Sequence, residues 1–304
     1  MRKIIFILCF YFSISAIVWA EDVAIVIGSD ISTFNTAADG IKDVLSKGGY
    51  TKIDFYDASK DSNFLAKIQA KKYMAICALG TSPFRKVKDS IKDTPIVFSM
   101  VLDPVESGVI STLDPSGDNF TGVSLDVSAD VQLELIHRIL SSCKTVGIIY
   151  SDKSNRLLSD AKKVQNVYGV TIEAIKVASS TEVPNALRTL PNVDLLWILP
   201  DVRVCTKDSM PFILNYATEK KLPVFAFAEY LVKAGALLGY TYDYFDVGRQ
   251  TGEVLVKIFN GTSAGSIPVS GPRKVGYAIN TKTIKFLGIS LPSSAVADAE
   301  QKFE

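Results

Sequence analysis

The sequence predicts an α/β protein made of two similar lobes, each a doubly wound parallel sheet, with a ligand cleft between them. Three observations point to it. Val23–Asp30 (VAIVIGSD) and Val146–Asp152 (VGIIYSD) read almost alike, each a short apolar run stopped by small polar residues. That is the form of a parallel strand where an open α/β sheet presents its ligand-facing edge. Each run opens a series in which strand and helix signals alternate, which gives a parallel sheet. The second series repeats the first at an offset of about 120 to 130 residues, a duplication of architecture rather than a short solenoid repeat.

The elements follow in chain order. Residues 1–20 read as a signal peptide: Arg2 and Lys3 precede a long apolar core, and Val18-Trp19-Ala20 supplies a small residue at the cut. Cleavage after Ala20 and an exported, periplasmic or extracytoplasmic location are expected. A retained membrane anchor is the rival, although the run from Ile4 to Ala20 is short against a span of about 20 residues. Cys9 stands behind bulky Ile7 and Leu8, which argues against lipidation there.

Five apolar runs bounded by turn chemistry then fit strands: VAIVIG from Val23, KIDFYDA from Lys52, MAICALG from Met74, PIVFSM from Pro95 and TGVSL from Thr121. Between the first two lies a helical pattern, Asn35 to Lys47, with Ala37, Ala38, Ile41, Val44 and Leu45 on one face and Gly48-Gly49 as its stop. Ser128 is placed to cap a helix over Ala129 to Leu140, after which the series restarts. Its runs are TVGIIYS from Thr145, TIEAIKV from Thr171, VDLLWILP from Val193, LPVFAFA from Leu222 and ALLGYTY from Ala236.

The last part breaks the symmetry. A helix over Asp246 to Gly261 precedes a Gly, Ser and Pro-rich stretch to Pro272, either a crossing between lobes or an ordinary surface loop, and then VGYAINTKTIKFLGI from Val275. The expected division is an N-terminal lobe over 21–125 completed by helix 245–261, a C-terminal lobe over 126–244 completed by 272–291, and a tail over 292–304. On the late helix, Arg249 and Glu253 are spaced to bridge along one face, while Gly248 and Gly252 point to close backbone packing.

Composition narrows the function classes. An apolar share of 48% supports packed cores, and 33 basic against 32 acidic residues give a net charge of +1. The basic footprint of a nucleic-acid binder is absent. Of the cysteines beyond the leader, Cys77 lies inside an apolar run and reads as a small core hydrophobe; a Cys143–Cys205 disulfide stays open. The single histidine, His137, reads as a surface or boundary residue, and no spacing suggests a zinc site. Trp197, mid-strand, reads as packing. No nucleophile elbow, phosphate loop or H-E-x-x-H motif is present, so no catalytic residue, cofactor or metal is assigned.

Candidate ligand-binding residues come from strand ends and helix starts. In Thr81-Ser82-Pro83, Ser82 suits an N-cap and Pro83 the first helical position, leaving the N–H groups of Phe84 and Arg85 to face a carboxylate. The helix dipole favours such an anion by about 0.3 to 1 kcal/mol. An amino-acid ligand then needs an anion for its ammonium, and Asp201 at the end of VDLLWILP stands on the opposite lobe, with Glu229 as second choice. Ser82 and Asp201 could instead only cap their helices, and Glu229 could face water. Asp103, before Pro104, either reaches the ligand or starts a turn. Ser29, Asp30 and Asn155 lie at or just beyond the first strand ends and can bond a ligand or their own turns. Among the aromatics gathered near these ends (Phe34, Phe84, Tyr150, Phe227, Tyr230, Tyr242 and Tyr244), one or two are expected to stack on a solute and the rest to be core.

The order of motifs supports a family reading. TPIVFSMVLDPVESGVI followed by NFTGVS, TVGIIYSDKSN and LPVFAFAEYLVKAGALLGYTYDYFDVGRQTGE resembles the ABC-transporter substrate-binding proteins related to tryptophan-binding TrpX. The most specific pieces are Asp103-Pro104, Thr121-Gly122-Val123-Ser124 and Gly248-Arg249-Gln250-Thr251-Gly252, and the similarity runs through nearly the whole mature chain. The resemblance implies the type I periplasmic-binding-protein fold and a non-enzymatic receptor that delivers its solute to a membrane permease. It implies a small solute captured by hinged closure, amino acids and aromatic ones among them; a monomer is expected. Phe227-Ala228-Glu229-Tyr230 departs from the family, which usually carries small polar residues there. Two other classes share part of the pattern: a sensory ectodomain serving a membrane receptor, and a two-domain transferase-like enzyme using Asp201 and Glu229 for acid and base work.

Overall fold

The computed structural model describes residues 22–304, so the expected leader lies outside the described residues. The first lobe is a parallel sheet of β1 (Asp22–Ile27), β2 (Lys52–Asp57), β3 (Ala75–Leu79), β4 (Ile96–Val101) and β5 (Phe120–Ser124), in the order β2-β1-β3-β4-β5. Its helices are α1 (Ser32–Lys47), α2 (Phe64–Gln69) and α3 (Thr81–Ser90). The continuous apolar run of β1 has a simple cause, since both faces of the sheet are covered. Val23, Ile25 and Ile27 pack with Ala37, Ile41 and Leu45 of α1, while Ala24 and Val26 pack on the other side with Phe64, Ile68, Phe84 and Val87.

The second lobe follows α4 (Ala129–Ile139), whose N-cap Ser128 accepts the Val131 N–H as expected. It contains β6 (Thr145–Tyr150), α5 (Asn155–Val164), β7 (Thr171–Lys176), α6 (Val183–Thr189), β8 (Leu195–Trp197), α7 (Ser209–Glu219), β9 (Val224–Ala226), α8 (Glu229–Lys233) and β10 (Leu238–Tyr242). The order β7-β6-β8-β9-β10 repeats that of the first lobe strand for strand. All ten runs expected from the sequence are strands. Trp197 is fully buried and donates its indole N–H to Gln132 Oε1 at 3.1 Å. His137 is exposed beside the Tyr168 ring, and Cys77, Cys143 and Cys205 are all free, so the Cys143–Cys205 disulfide is not formed.

The chain then returns to the first lobe as α9 (Tyr244–Phe259), which lies on α1. The two helices meet backbone to backbone: a Cβ on Gly248 would stand 1.9 Å from the Ala37 carbonyl oxygen, and one on Gly40 2.1 Å from that of Phe245. The expected Arg249–Glu253 bridge does not form. Arg249 Nε lies 3.6 Å from Asp43 of α1, and Glu253 is taken by Arg273, 2.9 and 3.0 Å away, because the returning chain passes on its side of the helix.

The Gly, Ser and Pro-rich stretch proves to be a crossing. It first runs beside β5, where Ser124 N–H donates to Ser270 O at 2.8 Å and Thr121 Oγ1 to Ile267 O at 2.8 Å. It then enters the second sheet as β11 (Val275–Asn280), antiparallel to β10, followed by α10 (Thr281–Leu287) and α11 (Ser293–Ala297). The expected tail is more than a tail. Its end forms β12 (Gln301–Phe303), parallel to β11, which makes the second sheet seven-stranded. Three segments therefore link the lobes, near residues 125–128, 243 and 271–274, and the Tyr242 hydroxyl ties the first two by donating to Leu125 O at 3.0 Å. Among the described residues no helix is long and apolar enough to cross a membrane.

Candidate ligand-binding site

A cavity of about 310 Å³ opens between the lobes where the carboxyl ends of both sheets face each other. The first lobe contributes Thr81, which follows β3, and Leu102, Asp103, Glu106 and Ser107, which follow β4. The second lobe contributes Lys153 after β6, Pro200, Asp201, Val202 and Cys205 after β8, and Phe227 after β9. A crevice outside the carboxyl ends of parallel strands is where open α/β sheets hold ligands. Apolar walls with a few polar groups are typical of small-molecule sites, and Leu102, Pro200, Val202 and Phe227 supply such walls here. A larger hollow of about 550 Å³ shares Leu102, Asp103 and Pro200, but its walls are the first turn of α4, the flank of α5 and the lobe crossings rather than opposed strand ends.

The two acidic side chains expected to matter differ sharply in state. Asp201 is buried and saturated by its own lobe: Oδ1 accepts from Ser151 Oγ (2.9 Å) and from the N–H groups of Arg203 (2.9 Å) and Val204 (3.2 Å). Its Oδ2 accepts from Ser151 N–H (2.7 Å) and Ser154 Oγ (2.6 Å). It welds the end of β6 to the turn after β8 and caps no helix, since α7 begins later, at Ser209, and its five donors leave no acceptor position for an ammonium.

Asp103 is nearly as buried and far less engaged. Its backbone has the left-handed φ of 47°, and its N–H donates to Asp126 Oδ1 at 2.6 Å. Oδ1 accepts from Arg156 Nη2 at 3.1 Å, a bond from α5 that spans the lobes, and Arg156 also reaches Asp126 at 3.2 Å. Oδ2 has no hydrogen-bond partner among the described residues. Burial, with the Asp126 charge beside it, pushes the Asp103 carboxyl up to about 6 against the opposing pull of Arg156. Burial also raises Asp126. Across the same gap, Lys153 Nζ donates to the Glu106 carbonyl oxygen at 2.9 Å.

The helix behind Thr81 starts earlier than expected. Its N-cap is Gly80, at φ 101°, and no side chain caps it; Ser82 is exposed and inside the helix, and Phe84 N–H donates to Gly80 O at 3.2 Å. A glycine is needed at Gly80 because of that φ, and its missing side chain leaves the N–H groups of Thr81 and Ser82 without a capping acceptor at the cavity rim. Phe84 does not reach the cavity. Its ring is 0% exposed in the core, 4.6 Å from Phe98 and 5.6 Å from Phe120 between centroids, because Pro83 and Phe84 form the inward face of α3.

Other expected residues lie off the cavity. Asp30 is exposed and held by Lys60 (2.6 Å) and Asn35 (2.9 Å), an arrangement that keeps its carboxyl below the usual range. The Ser29 carbonyl accepts the Ile31 N–H in the same turn. Tyr150 and Asn155 border a shallow hollow of the second lobe with Lys162 and Lys163. Glu229 accepts from Gln301 on β12 at 2.8 Å, and Tyr242 is engaged at the crossing. Tyr230 is 59% exposed, edge-on to Phe227 with centroids 6.3 Å apart, and so stands at the second-lobe margin of the cavity. The cavity thus gathers Thr81, Asp103 and Asp201 from the expected polar set and Phe227 from the expected aromatics. Sequence reasoning missed Glu106, Lys153, Val202 and Cys205, though each follows one of the strands it located. Burial pushes the Cys205 thiol up to about 12, so it lines the wall as a neutral group. Among the described residues no acidic, Cys or His cluster could hold a metal.

Comparison with known proteins agrees with this architecture. The sequence profile of the ABC transporter substrate binding protein family matches residues 22–303. The tyrosine-binding protein of Clostridioides difficile (strain R20291) is 33% identical over 252 residues, covering 79% of this chain and 71% of that one. A ligand-free, open substrate-binding protein with adhesive properties from Clostridium difficile is 28% identical with a TM-score of 0.76, covering 93% of this chain and 100% of that one. The ABC domain in complex with L-Trp from Streptococcus pneumonia is 25% identical with a TM-score of 0.66, covering 93% and 99%. A cleft between two sheets of matching strand order, in a chain matched almost end to end by one profile, identifies the protein as a member of the ABC transporter substrate-binding protein family with the type I periplasmic-binding-protein fold.

Proposed function

We propose that the protein is an extracytoplasmic receptor for an amino acid with an aromatic or large apolar side chain, which it captures between its lobes and delivers, as a monomer, to a membrane permease. The observation that carries the reading is the cavity itself, with an uncapped helix start and an unsatisfied carboxylate on one lobe and an apolar wall of Val202, Pro200 and Phe227 on the other. A zwitterion needs both signs of partner, and a large side chain needs the apolar wall. The tyrosine-binding relative and the L-Trp complex support the same class of ligand. Binding on both lobes favours the closed form to the extent that the ligand makes more contacts there, so capture and closure are one equilibrium.

Titration of the purified mature protein with L-tyrosine, L-tryptophan, L-leucine, a pentose and a nucleoside, followed by calorimetry and thermal shift, tests the reading. Saturable binding of one or more of the amino acids is expected, with a rise in melting temperature that grows with ligand excess. Binding of the pentose or nucleoside alone would leave a receptor but reject the amino-acid class.

A further inference from the structure

We propose that Asp103 is the residue that selects for the ligand's ammonium group, and that it releases a proton as the ligand binds. The inference rests on the amino-acid reading above. Asp201 holds five donors from its own lobe and cannot take another without losing one. Glu229 lies outside the cavity with Gln301. Asp103 lines the cavity with Oδ2 unpartnered, while its Oδ1 and its left-handed backbone are fixed by Arg156 and Asp126. With the lobes apposed the carboxylate is therefore held in one orientation, which lowers the ordering cost of the closed complex.

The charges facing Asp103 explain why an ammonium suits it. Asp126 on the crossing repels its charge and Arg156 on α5 attracts it, while Glu106 in its own loop adds further repulsion. Lys153, from the second lobe, is turned to the Glu106 carbonyl. One guanidinium thus serves two buried carboxylates, and the site lacks one positive charge that an amino acid brings. Below about pH 6 the folded protein carries Asp103 protonated. A bound ammonium favours the ionised form, so the proton on Oδ2 leaves to solvent as the N⁺–H···O⁻ contact forms. Affinity is then full above that pH and falls as pH drops through it, by up to about tenfold per unit for one linked proton.

The test uses the mature protein with L-tyrosine or L-tryptophan, whichever binds more tightly, and the N-acetyl form of the same amino acid, which keeps the side chain and carboxylate but lacks the ammonium. Calorimetry at pH 6 in buffers of different ionisation enthalpy is expected to show release of about half a proton on binding. The wild type should prefer the free amino acid to its N-acetyl form at least about 100-fold, and Asp103→Asn should reduce that preference about tenfold or more and abolish proton release. Asparagine tolerates the left-handed backbone and keeps an acceptor for Arg156, so the variant is expected to fold. The proton-release measurement needs no variant. Unchanged ammonium preference in Asp103→Asn, or no proton release by the wild type, overturns the role of Asp103 while leaving the receptor reading intact. Failure of the wild type to bind either amino acid overturns both.

Discussion

At the residue scale, Asp201 and Asp103 show that position at a strand end does not by itself make a carboxylate a ligand group. Both line the cavity, but Asp201 is committed to Ser151, Ser154 and the turn at Arg203 and Val204. Removing it leaves several buried donors unpaired, each of which costs about 1 to 3 kcal/mol, partly recovered by relaxation and water. Asp201→Ala is therefore expected to lower the unfolding free energy by about 3 kcal/mol or more, as measured by urea denaturation. Retained stability with lost amino-acid binding would instead make Asp201 a ligand group. The difference between the two residues was not legible in the sequence, because it depends on which donors the folded chain brings to each oxygen. Ser151 stands fifty positions from Asp201, and nothing in either local motif announces the pairing.

At the element scale, much of the fold was legible and the exceptions have identifiable causes. Eight strands announce themselves as continuous apolar runs bounded by turn residues because they are buried, while the part-exposed edge strands β2 and β7 show as mixed runs between turn signals. β12 does neither, since Gln301–Phe303 is a short, largely exposed edge whose partner β11 supplies its order. The start of α3 differs from the expected one because Ser82-Pro83 carries the chemistry of a cap while the backbone turns earlier, at Gly80. Gly248 and Gly252 do mark close helix packing, because small residues one turn apart leave a flat strip on a helix. That strip makes a sharp prediction. In Gly248→Ala the new methyl meets the Ala37 carbonyl of α1 at a separation no van der Waals contact allows, so α9 must move off the first lobe. Overpacking of this kind costs about 1 to 3 kcal/mol or more. Hydrogen exchange is expected to rise in α1 and α9 and to stay unchanged in β6 and β8 of the second sheet. Uniform loss of protection in both lobes, or none in either, would contradict the view that α9 belongs energetically to the first lobe.

At the scale of the whole molecule, the lobes are joined by three chain segments and by a small set of polar contacts across the gap. Arg273 anchors the third segment to α9 through both oxygens of Asp246, at 2.8 and 2.9 Å, and Tyr242 joins the first two segments. These contacts sit at the hinge and need not break when the lobes move apart. Arg156 and Lys153 do span the gap, to Asp103, Asp126 and the Glu106 carbonyl. They bias the ligand-free protein toward apposed lobes, and Arg156 is half-buried, so its charge is less screened by salt than that of an exposed pair. Arg156→Gln removes the charge shared by two carboxylates and, being two bonds shorter, withdraws the donor from both. Small-angle scattering at pH 7.5 without ligand is expected to give a larger radius of gyration for the variant than for the wild type. The sign of the pH effect follows from the raised Asp103: its charge is present above about 6 and is lost as pH falls through that value, so the wild type should expand as it is acidified toward pH 5. The variant, already without the cation, should change less over the same interval. In the variant the Asp126 charge acts on Asp103 with no guanidinium to oppose it, so the midpoint for loss of amino-acid affinity should move above the wild-type value. Superimposable scattering curves for the two proteins at both pH values would mean that the hinge segments alone set the lobe angle and that Arg156 only tunes the charge of the cleft.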